Sequence, residues 1–425
     1  MLVTIIIFLV LLSILVLAHE WGHFFTARRF GVGAEEFGLG FPPRVFGWQI
    51  WRERKIKKII ESENIKLELD SAPLLDGSEV IKETIIDEKR EVDEISWVRR
   101  FRFIRGSREL TQEEQEHGTV YSLNLIPIGG FVKIKGENGE DKTDPTSFGN
   151  KAIWKRAIIL SAGVVMNIIL AAVIIILGLG LGLPQALDAG ALPQGAVIRD
   201  RQIQIMQVLP KSPAEQAGLK SGDTIVSINN QTFSSYSEVQ NFVANKSGQS
   251  LNYAIKRGQE KIDKVITPKI MSETNKAGIG ISIAETGIVR YPWYLAIWEG
   301  IKLTGLLLWA IIVGLFTLIV QLFSGKNVSA QVAGPVGIAT LTGQMADLGF
   351  AYLAQFGALL SLNLAVINFI PFPGLDGSRV LFLIIEKIKG SPVKQRTEAL
   401  VHNLGLLVLF AIIILVTFKD IIKLF

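Results

Sequence analysis

Apolar and polar positions separate along this chain into long uncharged runs and shorter mixed stretches. The uncharged runs cover residues 1–18, 157–183, 303–323, 351–375 and 399–418. A bilayer crossing needs about 20 apolar residues, so each run has the length of a membrane helix. Lys and Arg cluster after the first run (Arg28, Arg29, Arg44, Arg52, Arg54, Lys55, Lys57, Lys58). They recur before the second (Lys151, Lys155, Arg156) and between the last two (Lys387, Lys389, Lys394, Arg396). Such clusters mark the cytoplasmic side. The runs 1–18, 157–183, 351–375 and 399–418 satisfy this as spans, with both termini outside, while 303–323 breaks the parity if it spans.

Two mixed stretches carry strand patterns. Gly118 to Gly136 reads GTVYSLNLIPIGGFVKIKG, alternating through Tyr121, Leu123 and Leu125, turning at Pro127 and Gly129-Gly130, then alternating again from Phe131. This predicts a membrane-associated β-hairpin. It reads either as a small cytoplasmic sheet or as a hairpin dipping into the bilayer, with Gly129, Gly130 and Phe131 at an edge that pairs with an extended substrate. Residues 195–290, bounded by Asp188-Ala189-Gly190 and Tyr291-Pro292-Trp293, form the sizeable external domain. There, Pro213 to Leu219 followed by Gly222 to Asn229 gives a short helix, a tight turn and a strand that together resemble a PDZ domain. Its candidate groove strand is Gly278 to Ile283, serving either to bind a peptide or trimmed substrate end by strand addition or to act as a steric filter.

Residues 50–118 are charged and mixed in sign and are expected to form a partly helical cytoplasmic insertion. Within it, Leu75-Asp76-Gly77 reads as a solvated turn and His117 as a surface residue. No nucleic-acid motif accompanies the net charge of +5, so that excess fits cytoplasmic loops facing anionic lipid. The chain has no cysteine. No disulfide staples the external domain, and a metal must be held by His, Asp or Glu. Val16-Leu17-Ala18 has the small-residue spacing of a signal cleavage site. However, basic residues follow the apolar run and do not precede it, which favours an uncleaved anchor.

Candidate chemistry begins at His19-Glu20-Trp21-Gly22-His23, where the first apolar run ends. On a helix, residues four apart share a face, so both imidazoles reach one metal ion, and Glu20 lies beside them to accept a proton from water. Ionisable groups in a membrane segment are expensive and functional by default. Catalytic zinc normally takes three protein ligands. The candidate third is Asp376, in the Pro-broken NFIPFPGLDG (368–377), where the alternative is a loop aspartate at the membrane surface. His402 reads as a polar relay or as the first turn of a helix near the interface. Asn167 reads as a helix-to-helix hydrogen bond in the second span.

The combination of HEWGH, GGFVKIKG, a PDZ-like domain and NFIPFPGLDG resembles the site-2 protease family of intramembrane zinc metalloproteases. The nearest branch is the bacterial one that activates envelope-stress sigma factors. The resemblance implies Zn2+ held by His19, His23 and Asp376, with Glu20 as acid/base. It matches Asn363 and Asn368 to residues that position the substrate backbone, and Gly334-Pro335-Val336-Gly337 to a segment ahead of the ligand helix. It implies peptide hydrolysis in single-pass membrane proteins, such as a trimmed anti-sigma factor, in a bacterial inner membrane. Ser378 stands where the family usually has a second glycine, one PDZ-like domain replaces the two of some relatives, and the insertion at 50–118 is long.

Parity then constrains 303–323: two ligand-bearing helices that meet at one depth run parallel and need an odd number of spans between them. That predicts a surface or re-entrant helix. The fold class expected is therefore a polytopic α-helical membrane protein with about four spanning helices, one surface or re-entrant helix, the β-hairpin and an external PDZ-like α+β domain. The segments run 1–30 (first span), 31–117 (cytoplasmic loop and insertion), 118–150 (hairpin and loop), 151–184 (second span), 195–290 (PDZ-like), 296–350 (surface or re-entrant helix), 351–390 (ligand span) and 397–425 (last span). Rival readings are a PDZ-bearing membrane scaffold without catalysis and a membrane-anchored zinc protease for soluble or misfolded proteins. The absence of a Gly-x-Ser-Gly motif paired with a later histidine disfavours a serine intramembrane protease.

Overall fold

The computed structural model describes residues 2–65, 70–73, 79–82, 86–107, 111, 118–137, 143–187, 195–258, 260–271, 276–325 and 333–422, and between 52 and 99 the backbone alone. His117, Leu75-Asp76-Gly77 and Asp188-Ala189-Gly190 lie outside these residues. Five of the described helices are long and apolar enough to cross a membrane.

Helix α1 (Leu2–Arg29) and α2 (Ile153–Leu181) form the centre of the bundle. Small residues allow a close approach: a Cβ on Gly22 would collide with the Ala162 carbonyl, and one on Gly163 with both imidazoles of the His19/His23 pair. In lipid, where burial gains little, such close packing is a main source of helix association.

Between α1 and α2 the chain builds a sheet. Strand β1 (Ala34–Ile65) is long and bent, β2 (Asp70–Pro73) and β3 (Glu79–Lys82) form a short ribbon, and β4 (Ile86–Arg105) pairs with β1 from Phe46↔Arg105 to Ile65↔Ile86. Where a partly helical insertion was expected, the described backbone is therefore an antiparallel β ribbon. Its Lys- and Glu-rich composition suits a helix in isolation, but the start of β1 is already committed to a sheet, and tertiary pairing overrides local preference. Strand β5 (Val120–Ile134) turns at Pro127–Gly130, and the first arm of β1 lies between its two arms, with Phe37 pairing with both Val132 and Tyr121. The arm that ends at Ile134 is thus an outer strand. It sits on α1, with Gly129 (φ +70) against Val16 and its N–H donating to Ser13 Oγ at 3.2 Å.

After α2, strand β6 (Leu183–Leu187) joins the PDZ-like sheet through β13 (Ile281–Arg290). The other members are β7 (Val197–Val208), β8 (Thr224–Ile228), β9 (Leu251–Arg257) and β10 (Glu260–Ile266), in the order β10-β9-β8-β7-β13-β6. This sheet thus begins a full strand earlier than the expected boundary at 195. Helices α3 (Pro213–Gln216) and α4 (Tyr236–Ala244) cover it, and Lys269–Ile270 (β11) pairs with Ala277–Gly278 (β12). Both helices open on serines, Ser212 and Ser235, whose hydroxyls accept N–H groups of the first turn. Ile203, Ile205, Ile225, Ile228, Leu251, Tyr253 and Ile255 form the core of this domain.

Helix α5 (Trp293–Phe323) starts beside the end of α2, where Tyr291 N–H donates to the Leu179 carbonyl at 2.9 Å, and packs Gly300 on Ile176. It runs 31 residues without reversal. Helix α6 (Pro335–Leu348) sets Gly343 on Thr4 at the start of α1 and Leu348 on Gly222 of the PDZ-like domain. Helix α7 (Phe350–Phe369) runs antiparallel to α2, with Ser361 Oγ donating to the Asn167 carbonyl at 2.8 Å. Helix α8 (Asp376–Lys389) follows the proline-containing break, and α9 (Gln395–Ile422) closes the chain.

These contacts give the molecule two poles. The PDZ pole gathers the start of α1, the end of α2, helix α6 and the end of α9, where Asp420 accepts the N–H of Gly337 at 2.8 Å. The sheet pole gathers the end of α1, the start of α2 and α8, tied by Arg156 to Glu386. All three basic clusters that begin at Arg28, Lys151 and Lys387 belong to the sheet pole.

Candidate metal centre

His19 and His23 are 5% and 6% exposed on the face of α1 that meets α2. Asp376 opens the first turn of α8, a position where the helix dipole favours a carboxylate. Its Oδ2 lies 2.8 Å from His19 Nε2 and 3.3 Å from His23 Nε2, and the two nitrogens are 3.1 Å apart. Residues 357 positions apart in sequence thus converge on one point. Among the described residues, His19, His23 and Asp376 are the group of three able to share a metal ion.

The triangle can be tested against a metal. Tetrahedral zinc with bonds of about 2.0–2.1 Å needs ligand atoms separated by about 3.3 Å. The observed edges of 2.8, 3.1 and 3.3 Å match this within a few tenths of an ångström. The donor set suits a hydrolytic site, with two imidazoles, one carboxylate and room in the coordination sphere for a fourth partner. His23 Nδ1 donates to the Ile159 carbonyl at 2.8 Å, which keeps the Nε2 lone pair directed at the ion. The outer nitrogen of His19 faces the buried amide of Asn167 at 3.4 Å.

Glu20, one residue along α1, points to the side of this triangle and lies within electrostatic reach of His19, His23 and Asp376. Its Oε2 accepts the N–H of Val132 at 3.0 Å, so the sheet's outer strand fixes the carboxylate. A divalent ion with Asp376 and Glu20 sums to zero formal charge, the balance a low-dielectric interior tolerates best.

The other expected site residues sit around this centre. Gly130 packs on Gly38 and Leu17 of α1, and the Phe131 ring lies beside Gly38. Asn368 is half-buried one turn ahead of the proline break. Asn363 donates to the Leu359 carbonyl of its own helix at 2.9 Å, so in this state its amide serves α7. His402 lies two turns into α9 and lines a cavity of about 350 Å³ with Glu137, Arg379, Gln395 and Glu398 at the sheet pole. Ser378, the departure from the two-glycine pattern, caps its own turn by donating to Leu375. Four contributors escape a sequence reading: the Ile159 carbonyl, the Val132 N–H, Gly163 and Asp420.

In the PDZ-like domain, Ile281–Ala284 pairs with β7 on one side, whereas β6 begins its pairing only at Glu285. That free edge faces α4 across a cleft of about 710 Å³ lined by Val239, Val243, Ile279, Ile281 and Ile283.

A family description, peptidase family M50, matches residues 7–60 and 97–412. The chain is 29% identical to the regulator of sigma-W protease RasP of Bacillus subtilis, over 99% of both chains. It is 30% identical to the zinc metalloprotease RasP of Oceanobacillus iheyensis, again over 99% of both. It is also similar to the PDZ domain of the SdrC-like protein of Listeria innocua, at 25% identity and a TM-score of 0.18, covering 19% of this chain and 92% of that one.

Proposed function

Because the chain belongs to peptidase family M50, we propose that it is a zinc metalloprotease of regulated intramembrane proteolysis in which His19, His23 and Asp376 hold the ion and Glu20 is the acid/base. The convergence of three ligand atoms from α1 and α8, each within 4.8 Å of the others, carries this reading. A zinc ion held by His19, His23 and Asp376 would supply Lewis acidity, polarising a scissile carbonyl and making water a stronger acid there.

The residues do the rest. Glu20 accepts a proton from the attacking water and returns it to the leaving nitrogen. Its bond to Val132 N–H holds the carboxylate on the sheet side of the triangle. The substrate is the transmembrane segment of a single-pass protein, which must unwind locally because a helix keeps its carbonyls in internal hydrogen bonds. The outer strand Gly130–Ile134 and the amides of Asn363 and Asn368 offer replacement partners for the freed backbone. A polar cavity lined by Glu137, Arg379, Glu398 and His402 at the sheet pole supports entry of water from that side.

The free edge at Ile281–Ala284 and its apolar cleft favour a PDZ-like domain that captures an extended peptide, such as the end left by prior trimming, over a steric filter alone. The basic clusters favour a cytoplasmic sheet pole, and with it both termini and the PDZ-like domain outside the inner membrane.

Incubating the purified full chain with a panel of single-pass transmembrane segments, with and without a zinc chelator, tests the assignment. Cleavage inside the apolar segment that the chelator abolishes and added zinc restores is the expected result. Cleavage confined to soluble or misfolded proteins would favour the membrane-anchored rival.

A further inference from the structure

The charged insertion is not used by the chemistry above, yet the base of its ribbon has an unusual face. Cross-strand partners share a face and neighbours along a strand alternate. The ladder therefore groups Phe46, Trp48 and Ile50 with Arg105, Phe103 and Phe101, and sets Gly47, Gln49 and Trp51 with Ile104, Arg102 and Arg100 on the opposite face. The second face belongs to the molecule's interior: Ile104 is buried, and Gln49 donates to the Gly118 carbonyl. The first does not. Phe101 is 65% exposed, Phe103 58% and Ile50 49%, with Phe46 and Phe103 stacked at 5.9 Å between centroids.

Toward the turn of β5 the same sheet also exposes Phe41, Val45, Leu125, Ile126 and Ile128. The β5 turn there docks against Val16 of α1, inside the first membrane run. Cations flank this row: exposed Arg105 stands opposite Phe46, and at the next rung of the same face beyond Ile50 and Phe101 the backbone register sets Arg52 opposite Arg99. Two residues along a strand advance about 7 Å. That matches the 5–10 Å depth over which the acyl boundary passes into the headgroup layer.

We propose that the base of the β1–β4 ribbon is a docking surface for the anionic headgroups of the leaflet on the sheet-pole side. Phe46, Trp48, Ile50, Phe101 and Phe103 enter the acyl boundary, and the arginines meet phosphates. The partner is identified by charge complementarity and by the continuity of this face with the membrane-embedded turn. A nucleic acid would use the arginines but would leave the aliphatic and aromatic row in water. An acidic protein would need no continuity with α1. The surface lies apart from the metal ligands, so its failure and a failure of the protease assignment are distinguishable.

The chain has no cysteine, so single-cysteine variants Phe103→Cys and, on the neighbouring strand, Ile50→Cys take an environment-sensitive fluorophore at one position each. The full-length zinc-loaded protein is reconstituted in phosphatidylcholine vesicles with or without about 30% phosphatidylglycerol, carrying lipids spin-labelled near the headgroup. We expect lipid quenching at both positions to be at least about twofold stronger with phosphatidylglycerol and to weaken at about 0.5 M salt, with zinc content unchanged. Equal access to an aqueous quencher in both compositions would overturn the proposal. So would equal lipid quenching in both, or shielding from water without lipid quenching, which would place a protein over the face.

Discussion

The side-chain amide of Asn167 lies 3.4 Å from Nδ1 of His19, wholly buried in the interface between α1 and α2. Its Oδ1 otherwise lacks a partner. The oxygen and nitrogen of an amide are interchangeable in shape, and both groups are satisfied when Oδ1 accepts the Nδ1–H of His19. That arrangement fixes the tautomer whose Nε2 faces Asp376. Asn167→Leu is therefore expected to lower zinc affinity about 10- to 100-fold, while Asn167→Asp, which keeps an acceptor, retains most of it. Competition with a chromogenic chelator measures the difference, and ¹⁵N spectra of the His19 ring report the tautomer.

Glu20, the proposed acid/base, is not among the three converging ligand residues. Glu20→Gln should keep one zinc per chain, read by elemental analysis, and lose about 10²- to 10⁴-fold in the rate of transmembrane-segment cleavage. Full activity in this variant would remove Glu20 from its assigned role.

Gly163 lies where a Cβ would strike the imidazoles of His19 and His23. Gly163→Ala should destabilise the fold by about 1–3 kcal/mol through overpacking and weaken zinc binding with it. Gly314→Ala is the matched control, because nothing lies within 4 Å of an added Cβ there. Thermal unfolding with and without chelator compares the two.

The two poles fix a labelling pattern. Lys302→Cys, Thr340→Cys and, on the PDZ-like domain, Asn245→Cys should react from the same side of the membrane. Lys151→Cys and Lys394→Cys should react from the other side. Helix α5 starts at the PDZ pole, beside the end of α2, and α6 packs at the same pole through Gly337 and Gly343. Thr340 labelling from the side of Lys394 would overturn this topology.

The metal centre was legible where chemistry and spacing coincide. Two histidines four apart need no tertiary information to share a face, and Asp376 stood out because prolines interrupt an apolar run just ahead of a charge. Asn167 was visible only as a polar residue in lipid, since nothing local distinguishes an amide that orients a ligand from one that joins two helices. The Val132–Glu20 bond depends on how the sheet leans on α1, which no periodicity encodes. The ribbon at 46–105 was missed for a related reason: its charged composition carries no apolar alternation, and its pairing is seeded by strands that lie beyond it. The PDZ-like sheet was found from its turns, but Leu183–Leu187 was hidden by its attachment to the end of a membrane run.

The 357-residue separation between His19 and Asp376 also orders events during biosynthesis. The histidine pair enters the bilayer with α1, ahead of its carboxylate partner. At about 5–20 residues per second, its carboxylate partner follows only after roughly half a minute. A ribosome that stalls anywhere before the last two helices leaves an inserted protein with an incomplete ligand set, so a truncated copy is unable to cut its neighbours.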